Sequence, residues 1–283
     1  MKRGALELLT SATGAILILT ATFLINFFAL SPLSHSVAQN GLRSSFASQT
    51  SLATAPTGEK DFRGQVLADG APVAQLVIPK LGLSEIVVEG TDSNTMRAGV
   101  GHRRDTVLPG QEGMTVLFGR AWTYGAPFGA LSTLKVGDEI TTYTGQGKST
   151  YKVSGIRRAG DKGLAPVKAG SNHLVLVTTE GEYFMPQSVL RVDAELQGKA
   201  FDTGLRVTKW GAIPAEGREL GFDARYAWAL GLTLIGLTLV QVLGRLSLKR
   251  FGIAKAWIVF APLAAFVMLL TIDQVTRLLP NLL

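Results

Sequence analysis

Apolar and polar positions alternate between two regimes along this chain of 283 residues. Long uncharged apolar runs cover Ala12 to Leu30 and Tyr226 to Gly244, and a slightly shorter one covers Ala256 to Ile272. A helix needs about 20 such residues to cross a bilayer core, so each run predicts a transmembrane helix. Tyr226, Trp228 and Trp257 stand at run ends, where amphipathic rings favour the interface. The first run is longer than the apolar core of a cleavable signal segment, and no small-residue cleavage pattern precedes Ser31-Pro32. Residues 1–30 therefore read as an uncleaved anchor.

The second regime is short and alternating. Residues 31–65 are rich in Ser, Ala, Thr, Gln and Gly without sustained periodicity, which predicts a flexible stalk. From Val66 the runs AQLVIP, EIVVEG, MTVLFG, DEITTYT, TYKVSGI and HLVLVTT follow closely, separated by Gly, Pro and Asp. Closely spaced strands with turn signals predict a small all-β barrel or sandwich over residues 66–200. Residues 201–225 form a connector that packs on the membrane surface or the barrel. Residues 226–283 form an antiparallel transmembrane hairpin with a short tail. About a dozen residues join its helices, and Ala227 and Gly231 offer a small-residue pair for close approach.

Charge changes the picture through its location. The formal net charge is +7. Residues 31–222 hold 20 basic and 18 acidic residues, whereas the remainder holds 8 basic and 3 acidic ones. The excess therefore lies beside the membrane, where short basic loops stay cytoplasmic. This orientation puts the N-terminus and RLSLKRFGIAK inside, and the 31–222 domain and the C-terminal tail outside. The basic loop also suits anionic headgroups of the lipid bilayer. Nucleic-acid binding has no support. The chain has no cysteine, which excludes disulfides and thiolate metal sites, and its 3 His are dispersed without ligand spacing. No metal and no cofactor are expected.

Three segments carry specific motifs: Val73 to Asp92, Gly99 to Ile140, and His173 to Leu196. In order and spacing they resemble the sortases, membrane-anchored transpeptidases of Gram-positive bacteria. The likeness covers about residues 66–200, is closest to classes D, E and F, and implies an eight-stranded sortase-like β-barrel. The family's catalytic His lies in a Leu-Ala-Gly-His-Arg run; here Leu117-Phe118-Gly119-Arg120 puts Arg120 at that place. The nucleophilic Cys ends a Leu-Val-Thr-Cys strand, and Leu176-Val177-Thr178-Thr179 puts Thr179 there. Aligning Ala194-Glu195-Leu196 with the family's strand ending puts Val189 at the catalytic Arg position, with Arg191 two residues further on the same strand face.

Those replacements remove the chemistry that the resemblance implies. A thiolate attacks near neutral pH, whereas a threonine hydroxyl needs an adjacent base. Arg120 cannot be that base, because a guanidinium stays protonated. His173 lies six residues upstream of Thr179 on one strand, about 20 Å away at roughly 3.3 Å per residue. His102 sits in a GVGH run that many sortases carry without catalytic use, and His35 lies in the stalk. The expectation is a pseudoenzyme with no catalytic residue. Arg120, Trp122, Thr179, Glu180, Glu182 and Arg191 would line the former substrate groove, and membrane and envelope proteins would be its partners. The alternative is a Thr179-dependent peptidase or transpeptidase with Arg120 or Arg191 stabilising the oxyanion.

Overall fold

The computed structural model describes residues 13–14, 16–17, 19–164, 166–183, 185–204, 206–209 and 211–283. Residues 1–12, the start of the expected anchor, lie outside the described residues. The chain forms two compact units: Met1–Ser31 with Ala224–Leu279, and Pro32–Asp223 with Pro280–Leu283.

The second unit is built on eight strands, β1 (Pro72–Ile78), β2 (Leu83–Glu89), β3 (Val100–His102), β4 (Gly113–Phe118), β5 (Glu139–Thr144), β6 (Gly147–Arg157), β7 (Asn172–Glu182) and β8 (Met185–Leu196). They close into a barrel in the order β1-β2-β3-β4-β7-β8-β6-β5. The expected eight-stranded barrel is thus observed. Side chains alternate across each strand, and β7 shows the consequence. Leu174 and Leu176 enter the barrel with Leu76, Leu117, Val192 and Ala194. Val175 and Val177 face outward, yet are buried with Val116, Phe118 and Val189. Both faces of β7 are covered, which explains its unbroken apolar run. Inside the barrel Tyr151 is fully buried; its hydroxyl donates to Asn172 Oδ1 at 2.8 Å and accepts from Gly110 N at 2.6 Å.

The expected flexible stalk, residues 31–65, is corrected over residues 31–51. Ser31–Ser51 is a helix, α1, within the longer helical run Leu19–Ser51. Its apolar contacts are few: Phe46 and Leu42 pack with Ala55 and Ile86. Polar side chains hold it in place. The Gln39 amide is buried, donates to Ile86 O at 3.1 Å and Ala98 O at 2.7 Å, and accepts from Ile86 N at 2.8 Å. His35 meets Arg97 O at 3.3 Å and Glu85 Oε1 at 3.2 Å. The connector packs on the barrel, as Thr91 Oγ1 donating to Gly217 O at 2.6 Å illustrates.

The first unit contains α2 (Ala227–Phe251) and α3 (Ile253–Leu278). Gly236 faces Val267 and Gly244 faces Phe260, so the two helices run antiparallel. Close approach falls at these glycines, whereas Gly231 has open space beside it. The expected connecting loop is also mostly helical, because its Leu, Lys and Arg residues are good helix formers and Gly252, at φ +82, alone interrupts the helices. Leu19–Ser51, Ala224–Leu248 and Ile253–Leu278 are long and apolar enough to cross a membrane, the mark of a membrane protein.

Candidate functional site

The candidate site lies on the outer face of β4, β7 and β8. Strand β4 ends at Gly119, where a Cβ would meet the Phe128 ring at 2.3 Å, so only glycine lets the chain pass. Gly119 N donates to Val177 O at 3.0 Å, and Thr178 Oγ1 donates to Gly119 O at 2.9 Å. These bonds place the start of Arg120 beside the end of β7. Thr179 and Val189 are directly opposite each other on β7 and β8. The three positions aligned with the family triad thus come from adjoining strand ends. Arg191 lies opposite Val177, and its guanidinium is held in a two-bond pair by Glu219.

The side chains at these positions are committed elsewhere. Arg120 is 0% exposed; it donates to Ser93 O at 2.6 Å, Ser93 Oγ at 2.8 Å and Thr123 Oγ1 at 3.0 Å. Its guanidinium lies 5.2 Å from the Tyr124 ring centre, and its buried Nε has no hydrogen-bond partner. Burial pulls its pKa down to about 10, with the Arg97 charge adding to the effect against Tyr124 and Asp92. It therefore stays cationic at neutral pH. The Thr179 hydroxyl donates to Ser188 O at 3.1 Å. His102 is also engaged away from the site, with Glu89 Oε2 at 2.9 Å and Val107 O at 3.0 Å. His173 is held below the ordinary imidazole range by burial, and its Nε2 is buried without a partner.

The remaining expected groove residues divide in two. Glu180 is paired with Arg158 at 2.6 and 3.0 Å, which holds its carboxyl below the usual range. Trp122 and Glu182 line an open cavity of about 770 Å³ with Tyr183, Ala126 and Gly129. The rings of Trp122 and Tyr183 are 6.2 Å apart. Tyr124 and Ala126, at φ 49 and 47, are non-glycine residues held left-handed in this loop, a strain of about 1–3 kcal/mol each.

Residues 76–194 match the family model of the sortase domain. This part of the chain is a sortase domain. The domain is 35% identical over 78 residues to Sortase D of Bacillus subtilis (strain 168), a match covering 28% of this chain and 38% of that relative's length. Among solved structures, a Clostridium perfringens Sortase D5 transpeptidase is similar at 19% identity and a TM-score of 0.48, over 57% of this chain and 99% of that one. Sortase E1 from Streptomyces coelicolor, with a tripeptide in its active site, is similar at 25% identity and a TM-score of 0.40, over 48% and 93% of the two chains.

The sequence motifs gave no sign of what covers this face of the sortase domain. Leu282, which belongs to none of the strands, is 0% exposed and packs with Val116, Phe118, Val175, Val177 and Val189. Ser93 and Thr123, which hold Arg120, and Asn281 beside Leu282 were equally unmarked. The only local hint is Pro280 just beyond the last apolar helix, a stop signal that turns the tail out of helical conformation.

Proposed function

We propose that this chain is a pseudo-sortase: a membrane protein whose sortase domain holds a partner outside the membrane, in a Gram-positive cell-envelope complex, without transpeptidation. The observation that carries this reading is the commitment of the Thr179 hydroxyl to Ser188 O. With no cysteine in the chain, that hydroxyl is the aligned nucleophile. It has no imidazole bonded to it among the described residues, and Arg120 remains protonated at neutral pH. A hydroxyl without a general base is a poor nucleophile.

The proposed orientation has support beyond charge. The chain leaves the barrel unit after Asp223 and rejoins it at Pro280. An exported unit entered twice needs an even number of crossings in between, which two helices long and apolar enough to span a membrane can supply. The N-terminus and the basic α2–α3 junction are then cytoplasmic, with barrel and tail outside. Ser51→Cys and Lys199→Cys, both at exposed positions, should react with an impermeant thiol reagent in intact cells, while Ser247→Cys should not. Asn281 is unsuitable as a probe because it is 0% exposed.

Purified full-length protein in mild detergent should neither cleave sorting-signal peptides nor trap an acyl-enzyme. Thr179→Cys alone should not restore turnover, since such groups act as a unit. Wild-type turnover abolished by Thr179→Ala would overturn the proposal in favour of a threonine enzyme. Envelope and membrane partners should co-purify with the full chain and be lost when its second and third spans are replaced by unrelated ones.

A further inference from the structure

The last four residues are read by the barrel unit as a peptide ligand is read. Asn281 is 0% exposed, and its Nδ2 donates to Thr91 O at 2.6 Å, Arg218 O at 2.8 Å and Glu216 O at 3.4 Å. Its Oδ1 accepts from Gly221 N at 3.1 Å, and its own N–H donates to Gly221 O at 3.2 Å. Every hydrogen-bonding group of the asparagine side chain is thereby satisfied. Leu282 fills the apolar floor on β4, β7 and β8. Beyond it, the backbone is held by the loop around Arg120: Ala121 N donates to Leu282 O at 3.0 Å, and Thr123 N and Oγ1 donate to Leu283 O at 3.1 and 2.7 Å.

One polar side chain fully paired, one apolar side chain in a pocket and backbone donors aimed at successive carbonyls form the pattern by which grooves read extended peptides. The segment that meets this pattern belongs to no strand, ends the chain, and is separated in sequence from the rest of its unit by residues 224–279. Ala121, whose N–H holds the tail, also lines the open cavity beside Trp122 and Tyr183.

We propose that Pro280–Leu283 is a tethered, exchangeable peptide ligand of this groove rather than a fixed part of the barrel. The tail closes the site in cis, and the site accepts in trans an extended peptide of the same chemistry, an asparagine followed by two leucine-like residues. Tethering supplies an effective concentration of order millimolar, so an incoming peptide competes poorly until the tail is withdrawn. This inference shares its groove with the pseudo-sortase reading but concerns occupancy, not turnover. The assay reads binding alone, so its failure leaves the question of catalysis where the peptide-cleavage assay puts it.

The test uses the full chain and a variant lacking residues 280–283, both in mild detergent. The probe is the peptide Leu-Pro-Asn-Leu-Leu with a free carboxylate and an amino-terminal fluorophore, followed by anisotropy. The truncated protein should bind it saturably, and the full chain on the order of a hundredfold more weakly. Replacing the peptide's Asn by Ala strands the Thr91 and Arg218 carbonyls and the Gly221 N–H, and should weaken binding at least about thirtyfold. Equal affinity in both proteins, or a folded truncated protein that does not bind, overturns the proposal. If the truncated protein does not fold, thiol labelling of the cysteine-free full chain decides. Leu282→Cys should react at least about tenfold faster than Val192→Cys inside the barrel, because the tail opens without global unfolding. Equal labelling rates mean that the tail opens only with the barrel, and the proposal fails.

Discussion

Replacing Gln39 with alanine tests whether α1 is a docked part of the barrel unit. The amide is 2% exposed and makes three hydrogen bonds, all to backbone groups of Ile86 and Ala98. Truncation leaves Ile86 N, Ile86 O and Ala98 O without that partner. Each buried orphan costs about 1–3 kcal/mol, and water entering the vacated volume recovers part of it. A net loss of about 3 kcal/mol is expected. For a unit of about 200 residues, that corresponds to a fall in Tm of about 6–12 °C. Gln39→Leu should lose nearly as much, since it fills the space without restoring a bond. Thermal unfolding in detergent gives the global value. Amide exchange at Ile86, whose N–H donates to the Gln39 side chain, gives the local one. A Tm shift under about 2 °C with Ile86 protection unchanged would refute the docking and restore the flexible stalk that the composition suggests.

Two further substitutions probe the same fold from other directions. Gly99→Ala puts a Cβ 2.3 Å from Gln39 Nε2 and 2.7 Å from Ile86 O, so unfolding should show a loss of about 2–3 kcal/mol; the loss should be less than additive with Gln39→Ala, because the two residues touch. Arg120→Met should leave stability at pH 7 within about 2 kcal/mol of wild type, because removing a cation whose pKa is lowered to about 10 relieves about 3 kcal/mol while its hydrogen bonds are lost. The unfolded arginine, with its ordinary higher pKa, binds more protons than the folded one above about pH 10, so wild-type stability gains on the variant as pH rises past that value. A variant trailing wild type by an amount independent of pH would contradict this.

Where side chains alternate with the strand period, the fold was legible. The apolar run of β7 and the Ala194-Glu195-Leu196 ending of β8 marked both strands, whereas their register, with Thr179 opposite Val189, comes from the structure. Which strand ends carry Arg120, Thr179 and Val189 was legible too, because motif and spacing are local properties. What the sequence concealed is held by polar contacts between distant residues. Helix α1 lacks an apolar stripe because Gln39 and His35, rather than leucines, fasten it. The groove was read as open, with Arg120 and Thr179 lining it, because nothing near either residue marks Leu282, more than 100 residues further on, as its cover. A hydrogen bond from Asn281 to Thr91 leaves no periodic trace in either segment.

That cover has a consequence for biosynthesis. The barrel's strands are complete by Leu196, but Leu282, which packs on them, follows only after residues 224–279. At about 5–20 residues per second, residues 224–283 take about 3–12 s to translate after the barrel segment has emerged. During that interval the apolar floor of β4, β7 and β8 lacks Leu282. A chain that stops early, or whose second and third helices fail to insert as a pair, never delivers Leu282 to its seat. A covered floor therefore requires that the segment between Asp223 and Pro280 has been made and has returned the chain to the barrel unit.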